Sequence, residues 1–333
     1  DQKIAKLLVS AYADVSPNEL FELYSDNSDD SGPTYGYYKL SEQECYHWQD
    51  TKEEYQDTPN SLWGGYYSAI AAANMALNAI EEKGNPASLD PQRGEALVCR
   101  AYCHFMLANI FCNAYDTHAS QSLGVPYMEE VETTVSPRYE RGTLEEVYRK
   151  VERDLLEGID LISDDSYSVP KYHFTRKAAY AFAARFYLYY MKPDFSNCDR
   201  VIDFATRVLG TNPADLLRNW EALGNLSVNG NVQADAYIAS SNEANLLISS
   251  TVSNWGAIGS DYLIGPRYFH NQTLATSETC LSSGLWGSSD YFYLKPFSTN
   301  GFVASILRKS GLYEGTYLYY MPVLFSTDET LLC

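Results

Sequence analysis

Nothing in this sequence approaches the roughly 20 consecutive apolar residues that a membrane-spanning helix needs. Cations are scarce: 24 Lys and Arg stand against 43 Asp and Glu, a formal net charge of −19 over 333 residues. A field of that sign repels nucleic acid and anionic lipid headgroups. It suits neutral or cationic ligands. Histidine is rare as well. The five that occur (His47, His104, His118, His173 and His270) lie apart, with no two at metal-ligand spacing. The sequence has no G-x-S-x-G, no H-E-x-x-H and neither of the phosphate- and dinucleotide-binding glycine loops. The absence of every local catalytic signature favours binding over catalysis. A glycosidase-like carboxylate pair stays open, because such a pair meets in space rather than in sequence.

Seven cysteines are present, an odd number with scattered spacing and no C-x-x-C. Cys99, Cys103 and His104 stand close on one expected helix, but no second cluster completes a metal site. Inert buried thiols are the expectation. The chain begins DQKIAKLLVS, without a leader pattern, so an export signal or lipid anchor would lie outside this sequence.

What is present is a large apolar and aromatic share, 45% and 14% of residues, with 29 tyrosines. That composition is globular. Tyrosine combines a ring that packs with a hydroxyl that stays polar, so it serves helix contacts and polar binding faces.

Periodicity predicts a mostly α-helical chain. Ile4, Leu7, Leu8, Ala11, Tyr12 and Val15 open a first helix, and an acidic turn leads into Leu20–Tyr24. Over residues 61–83, Trp63, Tyr66, Tyr67, Ile70, Ala73, Asn74, Leu77 and Ile80 recur at helical steps. Gly84-Asn85-Pro86 ends that helix. Asp90 reads as the N-cap of the next, with Pro91 at its first position and a buried face of Leu97, Ala101, His104, Ala108 and Phe111. Residues 117–142 form an irregular connector. Thr143 and Glu146 make a capping box for a third helix, with a stripe of Leu144, Val147, Val151, Leu155, Ile159 and Ile162. Thr175 caps a fourth, with Ala178, Ala179, Phe182, Phe186 and Tyr189 facing inward and Arg185 among them. His173, just before it, reads as a bond to a helix end. Ser196 with Asp199 caps a fifth. The recurring pairs have the small-residue and aromatic pattern of a degenerate tetratricopeptide-like superhelix.

From about residue 211 the helical period disappears. Gly, Ser, Asn and Thr become frequent, interspersed with Trp220, Tyr237, Trp255, Tyr262, Tyr268, Trp286, Tyr291 and Tyr293. Residues 243–250 suggest a strand, and so do 317–325. Ser326 with Glu329 announces a further helix at the end of the sequence. A long irregular region on a helical frame is where binding residues are usually placed. Two earlier stretches share that character. In residues 26–30, Asp26, Ser28 and Asp30 alternate as in a calcium loop, but the glycine and distal glutamate are not in place, so a polar loop is the plainer reading. In residues 41–60, Trp48 belongs to no apolar period, which suggests either an exposed binding surface or packing under the loop.

Trp63 with Tyr67, Ile70 and Asn74, then Gly94-Glu95-Ala96 with Arg100-Ala101-Tyr102, then Tyr115-Asp116 and Gly124-Val125-Pro126, resemble the SusD/RagB family. So do Arg141 with Thr143–Ile162, residues 175–190, Ser241–Ile248 and Pro322–Leu332. The likeness runs over most of the chain. It implies a helical fold of four degenerate tetratricopeptide-like pairs, with a variable lobe that carries a glycan site. It implies a noncatalytic lipoprotein on the outer face of the outer membrane. Its partner there would be a SusC-like TonB-dependent transporter, with the helical array facing it. It also implies helices beyond Glu329. The whole chain then reads as a single domain. The helical frame covers about 1–24, 61–116, 143–210 and 326–333, and an irregular ligand lobe covers about 25–60 and 211–325.

Flat aromatic rings stack on the C–H faces of sugars, while Asp, Asn and Arg bond the hydroxyls. On composition and position, the candidate ligand residues are Trp48, Trp255, Tyr262, Arg267, Trp286, Tyr291 and Asp30. No cofactor is expected, and calcium is a secondary possibility at the Asp26–Asp30 stretch. The alternatives to glycan capture are a glycan-processing enzyme with two carboxylates facing across a cleft, and a helical-repeat scaffold for proteins.

Overall fold

The computed structural model describes residues 2–251 and 267–270, apart from residues 27, 31–38, 55, 135–136, 220–221, 223–225 and 227–231. The described chain is mostly helical. Its elements are α1 (Gln2–Val9), α2 (Asn18–Leu23), β1 (Ser28–Asp30), α3 (Leu40–Tyr46), α4 (Pro59–Glu81), α5 (Asp90–Phe111), α6 (Leu144–Leu161), α7 (Arg176–Tyr189), α8 (Cys198–Leu209), α9 (Val232–Ile238) and β2 (Tyr268–His270).

The centre of the fold is α5. From Gly94 to Ala108 it is buried almost all round, Tyr102 being the one half-buried residue. That is possible because α4, α6 and α7 each cover part of its surface. Small residues let the backbones approach. A methyl added at Gly94 would come within 2.7 Å of the Gly158 carbonyl oxygen, and one at Gly158 within 2.7 Å of the Gly94 oxygen. The α5–α6 crossing therefore rests on two facing glycines with no room for a side chain. The predicted stripe of α6 is buried throughout, from Leu144 to Ile162.

Caps fix the helix starts. Thr58 accepts from the Ser61 N–H ahead of α4, with Pro59 at its first position. Thr143 and Glu146 form the predicted capping box of α6, and Thr175 accepts from the Ala178 N–H to start α7. Two expected caps are corrected. Asp90 lies inside α5, after a single 3₁₀ turn, and Leu89 takes the cap position without a side-chain bond. Asn197, not Ser196, precedes α8, and its amide is spent on the Tyr190 carbonyl at 2.5 Å. The inward face of α7 also differs. Ala183 and Tyr187 are buried, while Arg185 and Tyr189 are exposed, because α8 packs on the side of α7 that Tyr187 occupies.

The region after 210 contains more helix than its composition suggests, in α9 and a 3₁₀ turn at Pro213–Leu216. Residues 243–250 are not a strand. The Ile248 N–H bonds the Lys171 carbonyl at 2.7 Å, and Lys171 Nζ reaches back to the Asn242 carbonyl at 2.7 Å. Leu246 and Leu247 pack on the core. The strands instead lie at residues 28–30 and 268–270, which pair antiparallel, Ser28 opposite His270 and Asp30 opposite Tyr268. Two three-residue strands are too short for periodicity to reveal. The expected strand at 317–325 and helix after Ser326 lie outside the described residues.

The buried polar groups around His104 and Arg100 are bonded to one another, as burial demands. His104 is fully buried between α5 and the connector. Its Nδ1–H donates to the Arg100 carbonyl at 2.9 Å, and the Met128 N–H donates to Nε2 at 3.0 Å. Those bonds define a neutral ring, and burial pushes its pKa down to about 3. Arg100 donates from Nε to Asp154 at 2.6 Å and from its terminal nitrogen to Asn74 Oδ1 at 3.0 Å. Tyr127 donates to the same Asp154 oxygen at 2.7 Å. The Asn74 amide donates to the Met128 and Glu130 carbonyls. This network ties α4, α5, α6 and the connector together. His173 bonds Glu95 at 2.7 Å rather than a helix end, and Tyr12 donates to the same Glu95 oxygen. Cys45, Cys99 and Cys103 are buried free thiols, and burial pushes the Cys103 thiol up to about 12. Cys112 and Cys198 are half-buried and free. Cys280 and Cys333 lie outside the described residues.

Candidate functional site: an exposed aromatic platform

α3 ends abruptly at His47, and the next residue takes the left-handed conformation: Trp48 has φ 55°. Its N–H still bonds the Cys45 carbonyl at 2.9 Å, which closes the helix end. A bulky residue in that region costs about 1–2 kcal/mol. The turn throws the indole out of the helix. Its ring stacks on Tyr24 at 4.5 Å and 19°, yet 73% of the residue remains exposed. A flat ring held from below, with the other face in water, is the shape a sugar ring stacks on. An exposed large aromatic kept at a backbone cost points to function rather than packing.

Behind Trp48 the platform is supported from two parts of the chain. Tyr46 packs on Tyr268 at 4.9 Å, and His47 meets Tyr268 edge-on at 6.1 Å. Tyr268 is buried and lies beneath the Arg267 guanidinium at 5.0 Å. Arg267 grips Asp30 with two bonds, 2.6 and 2.7 Å. The β1–β2 ladder thus brings together two sequence candidates that stand 237 positions apart. Asp30 is engaged in a bidentate pair, so it is not a free calcium ligand. No group of three or more metal-ligating side chains occurs among the described residues.

The carboxylates under this surface are structural. Glu19 and Glu42 are buried and flank Lys39 at 4.0 and 3.8 Å. Burial pushes Glu19 up to about 8 and raises Glu42 as well. Glu42 also accepts the Lys39 N–H, and Glu53 accepts the Ser41 N–H, so both hold the start of α3.

Of the seven predicted ligand residues, Trp48 is exposed, and Asp30 with Arg267 forms the brace beside it. Trp255, Tyr262, Trp286 and Tyr291 lie outside the described residues. Tyr24, the ring under Trp48, was not singled out: one tyrosine among 29 at a helix end carries no local signal.

A cleft of about 440 Å³ opens elsewhere, between α4 and the connector 126–139.

The described residues form a helical frame that exposes an aromatic platform. The model of a SusD-like family, described as "Starch-binding associating with outer membrane", matches residues 1–188. The chain belongs to this SusD-like family. No match is found among curated proteins. Solved structures share the fold. A SusD-like carbohydrate binding protein from Bacteroides vulgatus aligns with a TM-score of 0.60 at 15% identity, over 84% of this chain and 59% of its own. The surface glycan-binding protein A from Bacteroides uniformis aligns at 0.55 and 15% identity, over 77% and 54%. A putative sugar binding protein from Bacteroides vulgatus aligns at 0.54 and 21% identity, over 74% and 52%. The chain therefore spans between half and three fifths of the length of these structures. No helix among the described residues is long and apolar enough to cross a membrane.

Proposed function

We propose that this protein captures glycans at the outer-membrane surface without cleaving them and passes them to a TonB-dependent transporter of the SusC type. The observation that carries the reading is Trp48, a stacked and strained indole with one face open to water. Family membership supports it, and so do the sugar-binding names of the proteins that share the fold. In this reading Trp48 stacks on a sugar ring. Asp30 and Arg267 fix the platform from behind and present polar edges to the hydroxyls. Trp255, Tyr262, Trp286 and Tyr291 extend the platform from an irregular lobe comprising about 25–60 and 211–325. The remaining helices form a frame turned toward the transporter. Membrane attachment would come through a lipid anchor. The net charge of −19 leaves nucleic acid out of the ligand range.

The enzyme reading needs two carboxylates facing across a cleft. The pair with raised pKa values among the described residues, Glu19 and Glu42, is buried and flanks Lys39 rather than facing across a cleft.

The test is calorimetry against neutral and acidic polysaccharides, with chromatography of the mixtures for released oligosaccharides. Binding by the wild type without products is expected, with a loss of about two- to tenfold in Trp48→Ala, since aromatic contacts add about 0.5–1.5 kcal/mol beyond area burial. Released oligosaccharides, or unchanged affinity in a folded Trp48→Ala protein, would overturn the assignment.

A further inference from the structure

The cleft between α4 and the connector is separate from the aromatic platform and uses none of its residues. At about 440 Å³ it falls within the size range of small-molecule sites, about 300–1,000 Å³. Its walls are aromatic and flexible-apolar: Trp63, Tyr67 and Met75 from α4, with Met128 and Tyr139 from the connector. Trp63 is held in place, packed edge-on against Phe111 at 5.1 Å and against Tyr67 at 4.9 Å. Met75 is exposed on the helix, and thioether side chains adapt to varied ligand shapes.

The polar inventory of the cleft is one-sided. The Tyr67 hydroxyl is spent on the Pro126 carbonyl at 2.8 Å, and the Asn74 amide on the Met128 and Glu130 carbonyls. The Tyr139 hydroxyl donates a hydrogen bond to Glu132. The donors left among the lining side chains are the Trp63 indole N–H and the Ser68 hydroxyl. Among the described residues no Lys or Arg lines the cleft. The cations behind it are engaged elsewhere: Arg100 and Arg153 with Asp154, Lys150 and Arg153 with Glu129, and Arg141 with the Gly124 carbonyl. At the rim stand two carboxylates, Glu130 and Glu132, both exposed.

Aromatic walls, apolar filling and a carboxylate rim fit one ligand chemistry. We propose that this cleft is a second binding site, for an organic cation with an apolar body, an alkyl- or arylammonium. The apolar body lies against Trp63, Met75 and Met128. The cationic head faces Glu130 and Glu132 and the ring of Tyr139. A sugar would find too few donors here to satisfy its hydroxyls, and an anion would meet carboxylates and no cation. The site thus takes a ligand class different from that of the Trp48 platform.

The experiment is calorimetry of the full chain with hexyltrimethylammonium, 1-hexanol and hexanoate, at low and at physiological salt. Ala71→Phe is the blocking variant, since Ala71 is exposed on α4 and lines the cleft. Glu130→Gln/Glu132→Gln is the charge variant. The ammonium compound is expected to bind more tightly than the alcohol, with hexanoate weakest. Ala71→Phe should abolish binding, and the double glutamine variant should weaken the cation about tenfold while leaving 1-hexanol unchanged. Circular dichroism checks that both variants are folded. No binding of the cation, equal binding of cation and alcohol, or binding that survives Ala71→Phe would each overturn the proposal. None of these outcomes bears on glycan capture, which Trp48→Ala tests alone.

Discussion

Replacing Asp154 by alanine would remove the acceptor at the centre of the buried network, and its cost follows from the geometry. The Asp154 side chain is 1% exposed and Arg100 only 8%. One Asp154 oxygen receives Arg100 at 2.6 Å and Tyr127 at 2.7 Å, and the other receives Arg153 at 2.7 Å. Without the carboxylate, Arg100 is a buried cation held by Asn74 and the Glu129 carbonyl. Removing one member of a buried ion pair costs about 3–5 kcal/mol. The orphaned Tyr127 hydroxyl belongs to the same network, so its cost of about 1–3 kcal/mol overlaps rather than adds. A total of about 4 kcal/mol is expected, which at a urea slope near 2 kcal/mol per M lowers the midpoint by about 2 M. The assay is urea unfolding followed by far-UV circular dichroism. The double variant Arg100→Met/Asp154→Leu removes both charges and should recover most of the loss, because an apolar pair of similar volume needs no counter-charge. A loss below about 1 kcal/mol in Asp154→Ala, or a double variant no better than the single, would refute this account.

Two further expectations come from the same packing. Gly158→Ala should cost about 2 kcal/mol, because its methyl would meet the Gly94 carbonyl oxygen at 2.7 Å and both backbones are helical; urea unfolding would detect it, and unchanged stability would mean that α5 and α6 part easily. Burial pushes Glu19 from about 4.5 up to about 8, opposed by Lys39 and reinforced by Glu42 and Asp57. The folded state therefore holds a proton that the unfolded chain releases. The corresponding stability is complete below about pH 4.5 and is lost as the pH rises to about 8. Melting temperatures of Glu19→Gln should fall less than wild type between pH 5 and pH 8.5, and parallel pH profiles would argue against a buried neutral Glu19.

Much of the helical frame was legible because its signals are local. The stripe of α6, the Thr143–Glu146 capping box, the Thr175 cap and the terminator after α4 each lie within a few residues. His104 was expected on the buried face of α5, and its full burial and two bonds agree. Errors fell where a neighbour decides. Asp90 looks like a cap until a 3₁₀ turn is placed before it. Tyr189 follows the helical period of α7, but α8 covers the other side.

The sequence by itself determined that the chain is helical, where its main helices run, that it is strongly acidic, and that Trp48 has no periodic reason to be buried. These follow from residue type and from spacing along one helix, which the covalent chain carries directly. Tertiary structure alone decided that Asp30 and Arg267 meet, that Tyr24 lies under Trp48, and that α4 and the connector leave a cleft. Contacts across 237 positions depend on which backbones can approach, and that is set by the joint packing of α5, α6 and their neighbours rather than by any one segment.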